Sequence, residues 1–377
     1  MRVGRNRFAF LIVALLLMTA GCAPASTPAP APPPPPAAAP PPAASAPPPA
    51  ATAVPAAVRV RIASQFAATD VGHYLAVERG YYQQEGLDVE LVNFSDASQM
   101  IPSVATDQVE VGGIGPNPAM WNALARGVRL KLVLDKGSVR PGAGFLALVI
   151  RKDVYDAGRG HTLADLRGLR IAITPPGKAT IAGFILSIGM ERAGASIDDL
   201  TIEPLAFPDM VAALANGSVD GAMIIEPFLS RVLRQGSAVR TMGLEEMYPD
   251  FPIGQVGFSP GFYANRAAAK GLVRGYIRAV RDYNNAVAGR TSDTDRAQVD
   301  EILSRYTRID VATIREMVPP GLNPNGRFNV EAMRYSYRWF REQGFIPEPV
   351  SEAAIDDLVG LDLVDEVLAE LGRVPDS

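Results

Sequence analysis

Met100-Ile-Pro-Ser-Val-Ala-Thr-Asp-Gln-Val-Glu110 and Met210-Val-Ala-Ala-Leu-Ala-Asn-Gly-Ser-Val-Asp220 read as one text repeated at an offset of 110 residues. Each runs from a methionine through a helix-like stretch to a Val-acid pair, ahead of a short apolar run. A second match, Arg61-Ile62-Ala63 over Arg170-Ile171-Ala172, falls at an offset of 109. Two matches at nearly one offset, each at the corresponding place of a strand–helix–strand unit, predict two lobes of like topology.

The text around the repeats supports that reading. Val58–Ile62, Leu87–Val92, Val109–Ile114, Leu130–Leu134 and Phe145–Ile150 read as strands, and so do Leu169–Thr174, Thr201–Leu205 and Asp220–Ile225. Helices are expected between them. One starts from Thr69 or Asp70 and runs to about Gly80, and another starts at Ser95. A third opens on the cap-and-proline pair Asn117-Pro118 and ends near Gly127; Ala179–Ala193, Asp209–Asn216 and Pro227–Arg234 follow. Strands alternating with helices indicate βαβ units and a largely parallel sheet. After Gly257 the text turns helical: Asn265–Ala288, Asp300–Thr307, Val330–Gln343 and Glu352–Leu371, packed on the first lobe.

The chain has 377 residues, enough for two or three domains. Its net charge of −4 is too small and of the wrong sign for an electrostatic nucleic-acid binder. One cysteine and two histidines leave no material for a disulfide framework, a His/Cys zinc site or a Cys/His nucleophile pair in the folded region. No cofactor is implied.

The first 57 residues read differently from the rest. Residues 1–21 have a basic start (Arg2, Arg5, Arg7), an apolar run from Phe8 to Met18, and small residues ahead of Cys22. An apolar helix of that length spans about 16 Å, half of a bilayer core of roughly 30 Å, so the segment reads as a signal peptide. Thr19-Ala20-Gly21-Cys22 resembles a bacterial lipobox, which would make Cys22 the lipidated N-terminus. From Ala23 to Ala57 there is no charged residue, and 15 of the chain's 33 prolines fall between Pro24 and Pro55. Such text cannot bury enough apolar surface to fold. With Cys22 it reads as a tether, up to roughly 110 Å long at about 3.1 Å per residue.

Several stretches resemble the solute-binding proteins for nitrate, sulfonate, taurine and thiamine-pyrimidine compounds. They are His73-Tyr-Leu-Ala-Val-Glu-Arg-Gly-Tyr-Tyr-Gln-Gln-Glu-Gly-Leu-Asp88, Val111-Gly-Gly-Ile-Gly-Pro116, Pro175-Pro-Gly-Lys-Ala-Thr180 and Val219-Asp-Gly-Ala-Met-Ile-Ile-Glu-Pro227. The resemblance covers about residues 58–290. It implies an α/β class II periplasmic-binding-protein fold: two α/β lobes, two crossovers and a ligand cleft between them. The crossovers are expected near Gly144–Ala147 and Gln255–Phe258. Lobe one would then be 58–144 plus 257–377, and lobe two 145–256.

In open parallel sheets, ligands bind beyond the carboxyl ends of the strands, where helix N-termini present free N–H groups. That places Ser64–Asp70, Gly113–Asn117, Thr174–Thr180 and Glu226 at the cleft. Gln65 and Phe66 lie in the first loop, with Phe66 able to stack on a planar ligand. His73 follows, as a ligand contact or a packed helix residue. Gly115 and Gly177 allow close approach of backbone to ligand. Asn117, Thr180 and Asp209 each read either as helix caps or as contacts. Glu226, ahead of Pro227, either supports its helix dipole or accepts hydrogen bonds from a ligand.

The resemblance implies a non-enzymatic receptor that captures a small solute and delivers it to an ABC permease. It would be held by lipid on the extracytoplasmic face of the cell membrane. Phe66, the loop amides and Glu226 suit a planar N-heterocycle of riboflavin or thiamine-pyrimidine type. A sulfonate, taurine or nitrate receptor, an anchored ligand sensor and a thiamine-pyrimidine-synthase-like enzyme are the alternatives.

Overall fold

Among the described residues ten strands form two five-stranded sheets, and the order of strands in one repeats in the other. In the computed structural model they are β1 (Val58–Ser64), β2 (Leu87–Asn93), β3 (Val111–Ile114), β4 (Lys131–Ser138) and β5 (Leu146–Arg151). Then come β6 (Arg170–Ile173), β7 (Thr201–Pro204), β8 (Gly221–Ile225), β9 (Ala238–Gly243) and β10 (Pro252–Phe258). The first sheet runs β2-β1-β3-β10-β4 and the second β7-β6-β8-β5-β9. The structure describes Ala31 and residues 56–94, 97–140 and 142–376. The signal peptide, Cys22 and most of the tether lie outside the described residues. Among those described, no helix is long and apolar enough to cross a membrane.

The repeat seen in the text is a repeat in space. Ile62 pairs with Val111 and Ala63 with Gly112 in the first sheet; Ile171 pairs with Gly221 and Ala172 with Ala222 in the second. The charged residues of the repeat pair in the same way in both lobes. Arg61 N–H donates to Glu110 at 2.6 Å while its guanidinium reaches the other carboxylate oxygen at 2.7 Å. Arg170 N–H donates to Asp220 at 2.9 Å and its guanidinium reaches the second oxygen at 3.0 Å.

Each sheet contains one antiparallel strand that arrives from the other. β5 lies antiparallel between β8 and β9, and β10 antiparallel between β3 and β4. The chain therefore crosses twice, through 139–145 and 244–251. The two crossings are tied to each other: Val139 N–H donates to Phe251 O at 2.9 Å and Asp250 N–H to Val139 O at 2.7 Å. Gln255–Phe258, expected as the second crossover, is instead the C-terminal part of β10. Neither β9 nor β10 shows in the sequence pattern. Pro252, Gly254 and Gly257 interrupt β10, and its stability comes from ladders to β3 and β4 on both sides.

The C-terminal helices refine the expected set. Arg266–Val287 packs along Val71–Glu78. The next helix begins at Asp293, not Asp300, because Ser292 caps it. Asp300 is buried within it between Arg296 at 2.8 Å and Arg315 at 2.9 Å. The expected Glu352–Leu371 helix is two helices, Glu352–Leu358 and Leu361–Leu371. Between them Gly360 N–H donates to Leu132 O and Val359 bridges Leu132, covering the edge of β4. The Val330–Glu342 helix reaches both lobes, with Tyr335, Trp339 and Phe340 around Phe184 of the Ile181–Arg192 helix. One apolar core therefore runs from the first sheet into the second lobe, and a smaller one fills the far face of the second sheet. Val54–Ser377 is one compact unit.

Candidate functional site

The carboxyl ends of β1, β3, β6 and β8 and the loops that follow them form the candidate site. The lobes meet there: a Cβ built on Gly115 would lie 3.3 Å from Ile181 Cδ1 and 3.1 Å from Ile253 O. Gly115 and Asn117 of the first lobe are thereby brought beside Thr180 and the start of the Ile181–Arg192 helix in the second.

The loop after β1 is built on buried polar groups. Ser64 Oγ accepts from Phe66 N–H at 2.9 Å and donates to Asp70 at 2.9 Å, and Ala67 N–H donates to the same Asp70 oxygen at 3.2 Å. The other Asp70 oxygen pairs with Lys136 Nζ at 2.8 Å, and that ammonium also donates to Thr69 Oγ1 at 3.0 Å. Asp70 is 1% exposed and the Lys136 side chain 13%. Glycine at 113 is what admits the lysine, since a Cβ there would stand 2.7 Å from Lys136 Cε. Lys136 carries no sequence signal for this role, because only the pairing of β10 between β3 and β4 brings it over Gly113.

Gln65 is exposed and free to face a ligand. Phe66 is half-buried with a left-handed φ of 54°. Its ring lies parallel to those of Tyr74 and Tyr306, 6.3 Å from each, while those two stack at 4.4 Å. Equal distances to both place Phe66 beside the Tyr74/Tyr306 stack rather than on its end. Tyr306 comes from the Asp293–Thr307 helix and donates to Glu78 at 2.8 Å. Burial, with the Glu78 carboxylate beside it, pushes its hydroxyl up to about 12.

His73 is not at the cleft. It is 1% exposed, its Nδ1 is 2.7 Å from Tyr82 OH, and its ring packs 4.8 Å from that of Tyr276. The helical period turns it onto the Arg266–Val287 helix, and burial lowers its pKa to about 4, so it is neutral.

The other expected contacts are partly occupied. Asn117 Oδ1 accepts from Met120 N–H at 3.2 Å, a helix cap. Thr180 Oγ1 accepts from Gly183 N–H at 3.1 Å and donates to Gly177 O at 2.8 Å, so its hydroxyl is used as a cap and turn lock. Gly177 has φ 77° and is buried against Ile202, which only a glycine fits without strain. Asp209 is exposed and is the third residue of its helix, which starts at Phe207 and not at Asp209.

Glu226 does not offer a free acceptor. Its carboxylate accepts from Ser230 N–H at 3.0 Å, Ser230 Oγ at 2.9 Å and Val318 N–H at 3.0 Å. The last of these bonds joins the second lobe to the segment after the Val311–Glu316 helix. Glu226 therefore acts as a helix brace and interlobe tie.

Comparisons with known proteins give this arrangement relatives. A Brucella abortus (strain 2308) protein, named only provisionally as a binding protein and with no ligand, is 23% identical over 260 residues. The match spans 68% of this chain and 73% of that one. The alkanesulfonate-binding protein SsuA from Xanthomonas axonopodis pv. citri, bound to MOPS, superposes with a TM-score of 0.60 at 22% identity, covering 81% of this chain and 98% of SsuA. The periplasmic nitrate-binding protein NrtA from Synechocystis PCC 6803 superposes with a TM-score of 0.62 at 14% identity, covering 84% and 89%. The two-sheet fold is that of these periplasmic binding proteins. Residues 68–283, more than half of the chain, match the family described as NMT1/THI5 like, and the chain belongs to that family.

Proposed function

We propose that this chain is the substrate-binding component of an ABC importer. It captures a small solute between its lobes on the extracytoplasmic side and presents it to a membrane permease. The observation that carries this reading is the paired architecture. Two sheets of one topology are joined by two hydrogen-bonded crossings, with the loops beyond their strand ends meeting at Gly115 and Ile181. Such a hinge between ligand-facing loops suits closure around a solute. We read the receptor as non-catalytic. His73 is neutral in the core, and His161 is stacked at 4.0 Å on Tyr155 at the surface, away from the cleft loops. Cys22 would carry the lipid anchor and residues 23–57 the tether. A Cys22→Ser chain released from the membrane fraction would support that, and one retained there would remove it.

Two ligand chemistries follow from different residues. Phe66, half-buried at the cleft loop with the Tyr74/Tyr306 stack beside it, favours a planar N-heterocycle of riboflavin or thiamine-pyrimidine type. Lys136, with Thr69 beside it at the strand ends, favours the oxyanion of a sulfonate or nitrate. Glu226 supports neither, since protein donors occupy it.

The test is thermal unfolding of Val54–Ser377, stripped of ligand, against riboflavin, a thiamine pyrimidine, thiamine, taurine, an alkanesulfonate, nitrate and bicarbonate. A true ligand at 100 times its Kd stabilises by ~2.7 kcal/mol. A heterocycle response abolished by Phe66→Ala supports the first chemistry. A sulfonate or nitrate response abolished by Lys136→Met supports the second. A ligand turned over chemically by the isolated protein overturns the receptor reading.

A further inference from the structure

The Val311–Glu316 helix is carried by the first lobe but touches the second. It packs on the Asp293–Thr307 helix, which packs on Val71–Glu78. Charge fixes the seat: Arg315 pairs at 2.9 Å with Asp300, a carboxylate 1% exposed. Asp310 caps the helix, accepting from Thr313 N–H at 2.9 Å and Thr313 Oγ1 at 2.7 Å. The second lobe meets it with the Phe228–Arg234 helix, which packs on β5, β8 and β9. Among the described residues two polar contacts cross between them, one at each end of that helix. Val318 N–H donates to Glu226 at 3.0 Å, and Glu316 pairs with Arg234 at 2.5 Å.

The lobes also meet around Phe184, and the two meetings differ in kind. Phe184 is fully buried among Tyr248, Phe251, Tyr335, Trp339 and Phe340, so parting it would expose aromatic surface to water at high cost. The polar contacts are within reach of water. Arg234 and Glu316 side chains are 50% and 52% exposed, and Glu226 and Val318 are half-buried. Their release strands nothing. Glu226 would still accept from Ser230 N–H and Ser230 Oγ, and Val318 N–H would turn to water. We propose that residues 310–318 are a latch between the lobes: lobe motion keeps the aromatic joint and makes or breaks the contacts of Glu226 with Val318 and of Arg234 with Glu316. This rests on the reading of the chain as a two-lobed receptor that opens for its solute. The latch then tunes affinity without touching the solute, because apparent affinity scales with the share of molecules in the binding-competent arrangement.

The test is an interlobe distance. Val54–Ser377 contains no cysteine, so Gln235→Cys in the second lobe and Glu301→Cys in the first, both exposed, can carry the only two spin labels. Pulsed electron resonance on the ligand-free protein reads the distribution of distances between them. Glu226→Ala should raise the share of a longer distance about tenfold. Arg234→Glu, which sets two like charges against each other, should raise it about threefold. Glu316→Arg added to Arg234→Glu should return the distribution to its starting form, which a role confined to either lobe would not produce. An unchanged distribution in Glu226→Ala overturns the latch, and so does a charge swap that restores nothing. Should Glu226→Ala fail to fold, an unchanged distribution in Arg234→Glu overturns it alone. No solute enters the measurement, so a negative result falls on the latch and not on the receptor reading.

Discussion

The helix after β1 and the helix after β6 stand at matching places in the two lobes, and they do different work. Val71–Glu78 is preceded by Asp70, a buried carboxylate paired with Lys136. Ile181–Arg192 is capped by the neutral Thr180. The fourth residue of each is a fully buried aromatic. Tyr74 donates to Ala67 O at 3.0 Å and stacks on Tyr306, so it braces the loop after β1 in its own lobe. Phe184 sits among Tyr248, Phe251, Tyr335, Trp339 and Phe340, so it joins the lobes. The sheets differ in the same sense. Where β3 has Gly113 beneath Lys136, the register of β8 places the buried Met223. The duplicated frame is kept at the far ends of the strands, in the Arg61–Glu110 and Arg170–Asp220 pairs. It diverges at the ends that form the candidate site. One lobe carries a buried charge network; the other carries neutral caps and the apolar joint.

The largest effect should come from breaking the joint. Phe184→Ala empties a site with five aromatic neighbours and should cost ~3–5 kcal/mol in urea unfolding. A cost below about 1 kcal/mol would show that the lobes hold together without it. Next, Lys136→Met strands the Asp70 carboxylate. Because the lysine is partly exposed, the loss should fall at the low end of ~3–5 kcal/mol. Asp70→Asn added to Lys136→Met should recover most of it. A double variant no more stable than the single would mean that packing, not charge, is at stake.

A pH series sharpens the same contrast, because two buried titrating groups of opposite sign lie in lobe one. Burial lowers His73 from an ordinary 6.5 to about 4, so its contribution to stability is lost as pH falls from 6.5 toward 4. Burial raises Asp135 from 3.8 to about 6, against the bonds it accepts from Ser138 and Asn323. The folded state holds that proton where the unfolded chain has lost it, so stability falls as pH rises from about 4 to 6. The two slopes oppose each other in one window, and the wild type should be nearly flat there. His73→Gln should unmask a stability that declines with rising pH, and Asp135→Asn one that increases. Denaturant midpoints at pH 4, 5 and 6 read both, and parallel curves for all three proteins would refute the assignment.

Smaller effects test the caps and the conserved frame. Thr180→Ala removes a cap and a turn lock and should cost ~1 kcal/mol. Its ligand affinity should fall only through loosening of the 177–180 turn, so Thr180→Ser should restore it. The smallest difference is expected between Arg61→Gln and Arg170→Gln. Both guanidiniums reach the surface, so both losses should be small and alike. Clearly unequal losses would show that the two ends are not equivalent.

Much of this molecule is legible one residue after another. The strands at Val58, Leu87, Leu169 and Asp220 and the caps at Asn117 and Thr180 depend on neighbours a few positions away, whereas the Arg61–Glu110 and Arg170–Asp220 pairs of the repeat join residues 49 and 50 positions apart. Local periodicity and capping chemistry therefore report the strands and caps. Residues far apart in the chain behave otherwise. β10 is broken by proline and glycine and is a strand only because β3 and β4 flank it. Lys136 meets Asp70 only because Gly113 leaves room. Glu226, read as a candidate ligand acceptor, is claimed by Ser230 and by the distant Val318 N–H. His73, inside a family-like signature, faces a helix two hundred residues later. Short-range text sets which elements form and where each lobe can offer a ligand its N–H groups. Which side chains remain free to answer is decided by long-range packing, since a polar group's availability depends on every partner the fold brings within hydrogen-bond reach.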